Sequence, residues 1–122
     1  MSKVKVVILS VMFFILGVIT QNAYSNEHID YLGNPDVFTL HQNYPNPFNP
    51  TTILPYDLKA DVHVKLTVYN LVGQVVQVLV DEYQQAGSYE VVFDASQLPA
   101  GVYLYKLQVG EYSSVKRMTL VK

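Results

Sequence analysis

Residues that could perform chemistry are few and widely spaced in this chain of 122 residues. The three histidines are His28, His41 and His63, and no two of them have the short spacing typical of metal ligands. The chain has no cysteine, which excludes a thiolate nucleophile, a disulfide and a cysteine-bound zinc site. We interpret the histidines as exposed polar residues.

The carboxylates do not form a catalytic pair either. Asp57, Asp61, Asp81, Glu82 and Asp94 are predicted at strand ends, where carboxylates usually are solvated turn formers. A calcium site between two loops stays open as an alternative, although no alternating acidic loop is present. The six glycines lie too far apart for a phosphate-binding loop. The sequence therefore predicts a protein that is not an enzyme, with no catalytic residue, cofactor, metal or small-molecule substrate.

The composition is that of one small folded domain. Half of the residues are hydrophobic (50%), 15% are charged, and the formal net charge is −2. Such a composition is typical of a globular chain and not of a disordered one. The negative charge makes nucleic acid an improbable partner, since an acidic surface repels phosphate. We expect a monomer.

The N-terminus has the three parts of a secretory signal peptide. Lys3 and Lys5 precede an apolar run over residues 6–19, and small residues follow at Ala23 and Ser25. A spanning helix needs about 20 apolar residues, so a transmembrane segment is the weaker interpretation. We predict a signal peptide over residues 1–25, cleaved after Ser25, and a flexible lead-in over residues 26–39. A short strand is possible over residues 37–40.

The rest of the chain alternates apolar and polar residues in short runs bounded by turn residues, which is typical of β-strands. Residues 62–69 show the clearest alternation, and residues 75–80, 88–94, 102–109 and 112–121 follow the same pattern. Gly110 and Glu111 predict a tight hairpin turn. The fold class is therefore all-β: a small antiparallel immunoglobulin-like β-sandwich of six to seven strands.

Two segments between the strands carry more specific signals. Three prolines within residues 42–50 predict an extended, ordered loop, which Tyr44 and Phe48 would pin to the sheet edge. Tyr103 is a candidate for a tyrosine corner, in which the hydroxyl bonds to the backbone a few residues upstream. Asp94 and Ser96 are expected to form the preceding turn.

Four sequence blocks, in this order and spacing, resemble the type A C-terminal sorting domain of the type IX secretion system. They are residues 42–52 (QNYPNPFNPTT), 68–76 (VYNLVGQVV), 94–103 (DASQLPAGVY) and 116–118 (KRM). The resemblance covers residues 40–122. The positions carried over as the sorting motif are Asn43, Tyr44, Pro45, Asn46, Pro47, Phe48, Asn49, Pro50, Gly73, Asp94, Gly101, Tyr103, Lys116, Arg117 and Lys122.

The resemblance implies a non-catalytic secretion signal in a protein of the Bacteroidetes or related bacteria. Such a chain would be exported through the periplasm to the cell surface or the medium. Its implied partners are the outer-membrane translocon and its sorting peptidase, which commonly removes the domain on arrival. Lys116, Arg117 and Lys122 form a small basic end, which is either an edge protected by charge or a docking surface for an acidic receptor.

The sequence departs from the family pattern at three points. Phe93 stands where the family often has tryptophan, and Pro55 interrupts the first long strand, which suits an edge strand. Only residues 26–39 are available as cargo ahead of the domain, so either a truncated remnant or a small independent product is expected. A structural or adhesive module is the alternative, because the sandwich also resembles the immunoglobulin-like part of flagellar hook-capping proteins. A small enzyme or carbohydrate-binding module is a third, weaker hypothesis.

Overall fold

The computed structural model describes residues 35–122, and these residues form seven antiparallel strands. The predicted signal peptide, its cleavage residues Ala23 and Ser25, and residues 26–34 of the lead-in lie outside the described residues. A 3₁₀ turn precedes the first strand. The elements are the turn Pro35–Val37 and the strands β1 Phe38–Leu40, β2 Thr51–Leu58, β3 Val62–Tyr69, β4 Val75–Gln84, β5 Gly87–Asp94, β6 Gly101–Val109 and β7 Tyr112–Leu120.

The strands make two sheets that share one core. One sheet has three strands in the order β1-β2-β5, and the other has four in the order β4-β3-β6-β7. Each pair of neighbouring strands is antiparallel. The architecture confirms the predicted all-β sandwich. Within residues 35–122 no helix is long and apolar enough to cross a membrane.

The alternation of apolar residues decides which face of each strand is buried. In β3 the four residues Val62, Val64, Leu66 and Val68 are at most 3% exposed. In β6 the alternate residues Tyr103, Tyr105 and Leu107 point into the core. The largest fully buried side chains come from both sheets and from the proline loop: Tyr56, Tyr105, Phe48, Phe93, Leu54, Leu66, Leu107, Met118 and Leu120.

Ordered structure begins inside the segment that the sequence predicts as a flexible lead-in. Phe38 and Thr39 belong to β1 and pair with Leu58 and Asp57 of β2. Phe38 is only 6% exposed, and Val37 before it is 7% exposed. The possible short strand predicted over residues 37–40 is therefore confirmed as β1, and the lead-in does not extend to residue 39.

Pro55 lies in a central strand, so its interpretation as an edge residue is wrong. β2 is hydrogen-bonded to β1 on one side and to β5 on the other. The carbonyl of Pro55 accepts a hydrogen bond from the His41 amide at 3.0 Å, which continues the β1–β2 ladder beyond Leu40. Proline has no amide hydrogen to return to the His41 carbonyl. The hydroxyl of the buried Tyr105 donates to that carbonyl instead, at 2.7 Å.

Candidate functional site

Two histidine–aspartate pairs lie on the surface and could suggest catalysis. His41 Nε2 is 2.7 Å from Asp57 Oδ2, and His63 Nε2 is 3.0 Å from Asp81 Oδ1. All four side chains are between 42% and 59% exposed. Ion pairs that water solvates to this extent stabilise a fold by at most about 1 kcal/mol. The exposure agrees with the interpretation of these two histidines as exposed polar residues.

Asp57 also bonds to Ser88, but the three residues are in the wrong order for acyl transfer. The hydrogen bond with His41, and next the one with Ser88, lower the pKa of Asp57 below its usual value. A serine nucleophile needs a histidine beside it to take its proton, with the aspartate beyond the histidine. Here the aspartate contacts the serine. Within residues 35–122 no group of three metal-ligating side chains is close enough to hold an ion.

The proline loop covers the outer edge of β7 at the C-terminal end of the strand, from Arg117 onward. Its Phe48 amide donates to the Thr119 carbonyl at 2.9 Å, and the Phe48 carbonyl accepts from the Val121 amide at 2.9 Å. The Asn46 side chain accepts from the Thr119 amide at 3.0 Å. Gln42 Nε2 donates to the Arg117 carbonyl at 2.8 Å. The loop therefore satisfies the backbone groups that an edge strand would otherwise expose.

Asn43 holds the loop in shape from the inside. It is 3% exposed, and its amide nitrogen donates to the hydroxyl of Thr52 at 3.0 Å and to the Pro45 carbonyl at 3.1 Å. Its oxygen accepts from Gln42 at 2.7 Å. The Thr52 hydroxyl also donates to the Pro45 carbonyl at 2.9 Å, so side chains supply the donors inside a loop whose prolines have no amide hydrogen.

The two aromatic residues of the loop have different environments. Phe48 is 1% exposed and packs at a tilt against Phe93, with the ring centroids 6.3 Å apart. Tyr44 is 47% exposed, and its hydroxyl donates to Glu90 at 2.7 Å, which raises the pKa of Tyr44. Phe48 pins the loop by burial, and Tyr44 fastens it to the edge strand β5 through the bond from its hydroxyl to Glu90. The Tyr44 backbone also exchanges hydrogen bonds with Ile53.

The block before β6 contains the predicted tyrosine corner. The Tyr103 hydroxyl donates to the Pro99 carbonyl at 2.6 Å, four residues upstream. Asp94 accepts from the Ser96 amide at 2.9 Å, and this bond lowers the pKa of Asp94. Gly101 has a φ of 153°, which side chains with a Cβ rarely adopt.

The hairpin turn between β3 and β4 is held by one side chain. The Asn70 carboxamide oxygen accepts from the amides of Val72 and Gln74 at 3.1 and 2.9 Å. Gly73 takes a φ of 89°, which closes the turn. Leu71 and Val72 are 64% and 79% exposed at its tip. The turn is therefore ordered, yet it presents two aliphatic side chains to solvent.

These loops lie at one end of the sandwich. The register pairs Tyr69 with Leu104 and Gly101 with Leu120, so the end of β3, the start of β6 and the end of β7 are neighbours. We call this the loop end and define it as residues 41–50, 70–74, 95–100 and 121–122. Of the predicted motif residues, it contains Asn43, Tyr44, Pro45, Asn46, Pro47, Phe48, Asn49, Pro50, Gly73 and Lys122, and Asp94, Gly101 and Tyr103 border it.

Hydrogen bonds join residues 41–50, 95–100 and 121–122 of the loop end to one another. The Ala95 amide donates to the Pro50 carbonyl at 2.9 Å. Lys122 Nζ donates to the Ser96 carbonyl at 3.2 Å. Blocks that are far apart in the sequence thus form one continuous structure.

Lys116, Arg117 and Lys122 do not form one basic cluster. Lys116 is opposite the buried Tyr105 and faces the inner side of the sheet, whereas Arg117 is opposite Leu104 on the outer side and is exposed. Successive residues of a strand point to opposite faces, so neighbours in the sequence are separated here. Lys122 lies at the loop end.

Sequence reasoning missed the residues that act through distant partners. The alternation over residues 102–109 places Tyr105 only on one face of a strand, although it bonds to a backbone carbonyl 64 positions away. Thr52, Gln42 and Asn70 were not singled out. The available signal is the set of three prolines in the loop, because residues without an amide hydrogen leave neighbouring side chains to supply donors.

One family model matches most of the chain. The family model of the secretion system C-terminal sorting domain matches residues 42–121. The chain belongs to this family. Residues 42–121 are therefore a C-terminal secretion signal of the type IX secretion system. The matched range includes all the motif residues named above except Lys122.

Solved structures of low similarity were also found. One is PorZ, a bacterial surface component of the type IX secretion system of Porphyromonas gingivalis, at 16% identity and a TM-score of 0.46. That match covers 68% of this chain, and the chain spans 11% of PorZ. Another is the Ig1 domain of mouse SynCAM 2, at 13% identity and a TM-score of 0.35, with 59% of this chain and 81% of that domain covered. No curated protein sequence matches the chain.

Proposed function

We propose that the loop end of the sorting domain is the surface that the type IX outer-membrane translocon recognises. Family membership over residues 42–121 carries this proposal. Hydrogen bonds between the proline loop, the block before β6 and the C-terminal residues support it, and the strand register brings the hairpin turn at Gly73 to the same end. A receptor could then contact all of these segments at once.

The proposal has finer parts. The domain is a type A sorting domain whose folded part begins with the turn Pro35–Val37 and β1, and it has no catalytic activity of its own. A signal peptide over residues 1–25, cleaved after Ser25, delivers the chain to the periplasm. The translocon then carries it to the cell surface or the medium, and a sorting peptidase removes the domain. The chain acts as a monomer.

The test is a reporter fusion. A periplasmic reporter enzyme is placed behind a signal peptide and ahead of residues 35–122, and its activity outside the cell is measured. The hosts are a strain with a working type IX system and its translocon mutant. We expect external activity in the first host only. If the reporter stays in the periplasm of both hosts while the domain is folded, the secretion role fails and a structural or adhesive module becomes the better explanation.

A deletion variant separates recognition from folding in this fusion. Removing residues 116–122 would delete Met118 and Leu120, which are at most 1% exposed, and would unfold the sandwich. Removing only Val121 and Lys122 leaves β7 intact. We expect the shorter deletion to reduce external activity without unfolding, because it takes away the bonds to Phe48 and Ser96. Replacement of Lys59, which is exposed and lies outside the loop end, by Ala is the matched control.

A further inference from the structure

The outer side of the four-stranded sheet carries exposed aliphatic residues on the half next to the loop end. Two rows of side chains cross all four strands, as the register shows. The first row is Val75, Tyr69, Leu104 and Arg117, and the second is Val78, Thr67, Lys106 and Val115. We call these eight residues the outer patch. Val75, Val78 and Val115 are 59%, 44% and 52% exposed.

A polar group without a partner lies in the middle of this apolar surface. Thr67 is 1% exposed, and its hydroxyl has no hydrogen-bond partner among residues 35–122. Lys106, its neighbour across the strands, places its ammonium group 5.1 Å from the centre of the Tyr69 ring. The Thr67 hydroxyl is covered by its neighbours, so an incoming carboxylate meets Lys106 at this point and not Thr67.

The charges of the two outer surfaces differ in sign. The outer patch has two cations, Lys106 and Arg117, and no carboxylate. The outer side of the three-stranded sheet has Asp57, Glu90 and Asp94 in its strands and neither lysine nor arginine. An acidic partner is therefore repelled by one sheet and attracted by the other, which selects the docking side.

The outer patch is continuous with the loop end. Its first row begins at Tyr69 and Val75, the two residues that flank the hairpin turn. The exposed tip residues Leu71 and Val72 extend the aliphatic surface in that direction. A partner that contacts the loop end thus meets the patch without a gap. Contiguous exposed apolar surface with a polar rim is typical of interaction sites.

We propose that the outer patch docks an acidic protein surface of the export machinery whose carboxylates are flanked by apolar groups. This inference rests on the proposed function and assigns the contact to residues outside the loop end. Lys106, in a central strand, and Arg117 pair with the partner's carboxylates, and Val78 and Val115, on the two edge strands, pack on the flanking apolar groups. A second copy of this chain fits worse, because a symmetric pairing of two patches brings the same cations together.

The experiment uses the full chain in a host with a working type IX system. The variants Val115→Glu and Arg117→Glu place negative charge on the patch. Their matched controls are Val92→Glu, at a valine that is 65% exposed on the other sheet, and Lys59→Glu, at an exposed lysine outside the patch. The exported fraction is measured with an antiserum. We expect a drop of about tenfold for the patch variants and less than about twofold for the controls.

Each outcome has a distinct meaning. Export of the patch variants at the level of the controls overturns the docking inference and leaves the secretion role intact. Absence of wild-type export defeats the secretion role itself. Thermal unfolding of the purified variants checks that they fold, and Arg117→Lys should retain export because it keeps the charge. Sedimentation of the wild type as a dimer that Val115→Glu converts to a monomer would assign the patch to self-association and overturn the proposal.

Discussion

The Tyr105 hydroxyl replaces a hydrogen bond that the backbone of a central strand cannot make. Pro55 and His41 are opposite each other, and only one of the two bonds of that pair can form between backbone groups. Tyr105 crosses from the other sheet to fill the second position. Burial raises the pKa of Tyr105 to about 12, against a smaller opposing effect of the Asn43 backbone. The hydroxyl is therefore a proton donor over the physiological pH range.

Replacing Tyr105 by Phe should lower the free energy of unfolding by about 1–3 kcal/mol, because the His41 carbonyl loses its donor. Urea unfolding of the chain measures the change. Pro55→Val supplies an amide hydrogen at the missing position, so the double variant should recover a large part of the loss. Tyr103→Phe combined with Pro55→Val is the control and should show no such coupling. If the changes in unfolding free energy of Tyr105→Phe and Pro55→Val simply add, the Tyr105 hydroxyl does not act in place of the missing backbone amide.

Sequence reasoning succeeds for local contacts of single residues and fails for distant ones. The bond from Tyr103 spans four positions and follows from the spacing of the block before β6. The bond from Tyr105 spans 64 positions, and alternation alone places that residue only in the core. Two tyrosines at equivalent strand positions thus have partners that only the folded chain distinguishes. The same limit explains why Pro55 was predicted at an edge.

Among the elements, both edges of the four-stranded sheet are modified in ways that limit pairing with another chain. The β7 edge is covered by the proline loop. β4 shifts register against β3 at two points, which skips Val76 and Leu79. Such bulges twist an edge and disfavour its extension by another strand. β4 also continues to Gln84, beyond its predicted end at Val80, since an exposed edge strand tolerates the charges of Asp81 and Glu82.

At the scale of elements, replacing Asn43 tests whether the internal bonds of the proline loop hold the loop on β7. We expect Asn43→Ala to cost about 2 kcal/mol of unfolding free energy, since the Thr52 hydroxyl loses the donor that it accepts from and the Pro45 carbonyl keeps only one of its two donors. Hydrogen exchange at the Thr119 and Val121 amides should become faster. Asn49→Ala, at an exposed position, should change stability by less than about 0.5 kcal/mol. Unchanged exchange in Asn43→Ala would mean that the loop needs no internal support.

For the whole molecule, the sandwich and the secretion role follow from the sequence, but the arrangement of the motif does not. Alternation predicts most of the strands, and the order of four blocks identifies the family. The meeting of residues 42–50 with residues 119–121 depends on register across several strands, which no local pattern specifies. The inward position of Lys116 and the outward position of Arg117 have the same origin. Lys116 and Arg117 are adjacent in the sequence, yet in the fold Arg117 is exposed and Lys116 is half-buried on the opposite face of the sheet.

At the scale of the whole molecule, we predict that the folded unit begins at residue 35 and not at residue 40. A fragment of residues 40–122 lacks Val37 and Phe38, which are 7% and 6% exposed, and lacks the bond from the Lys59 amide to the Val37 carbonyl. Burial of two such side chains outweighs the entropy of ordering a short strand, so residues 35–122 should be more stable by about 2 kcal/mol or more. Urea midpoints of the two fragments give the difference. Phe38→Ala in the longer fragment should reproduce most of it, and Thr39→Ala, at an exposed position, should not. Equal stability of the two fragments would restore the flexible lead-in as far as residue 39.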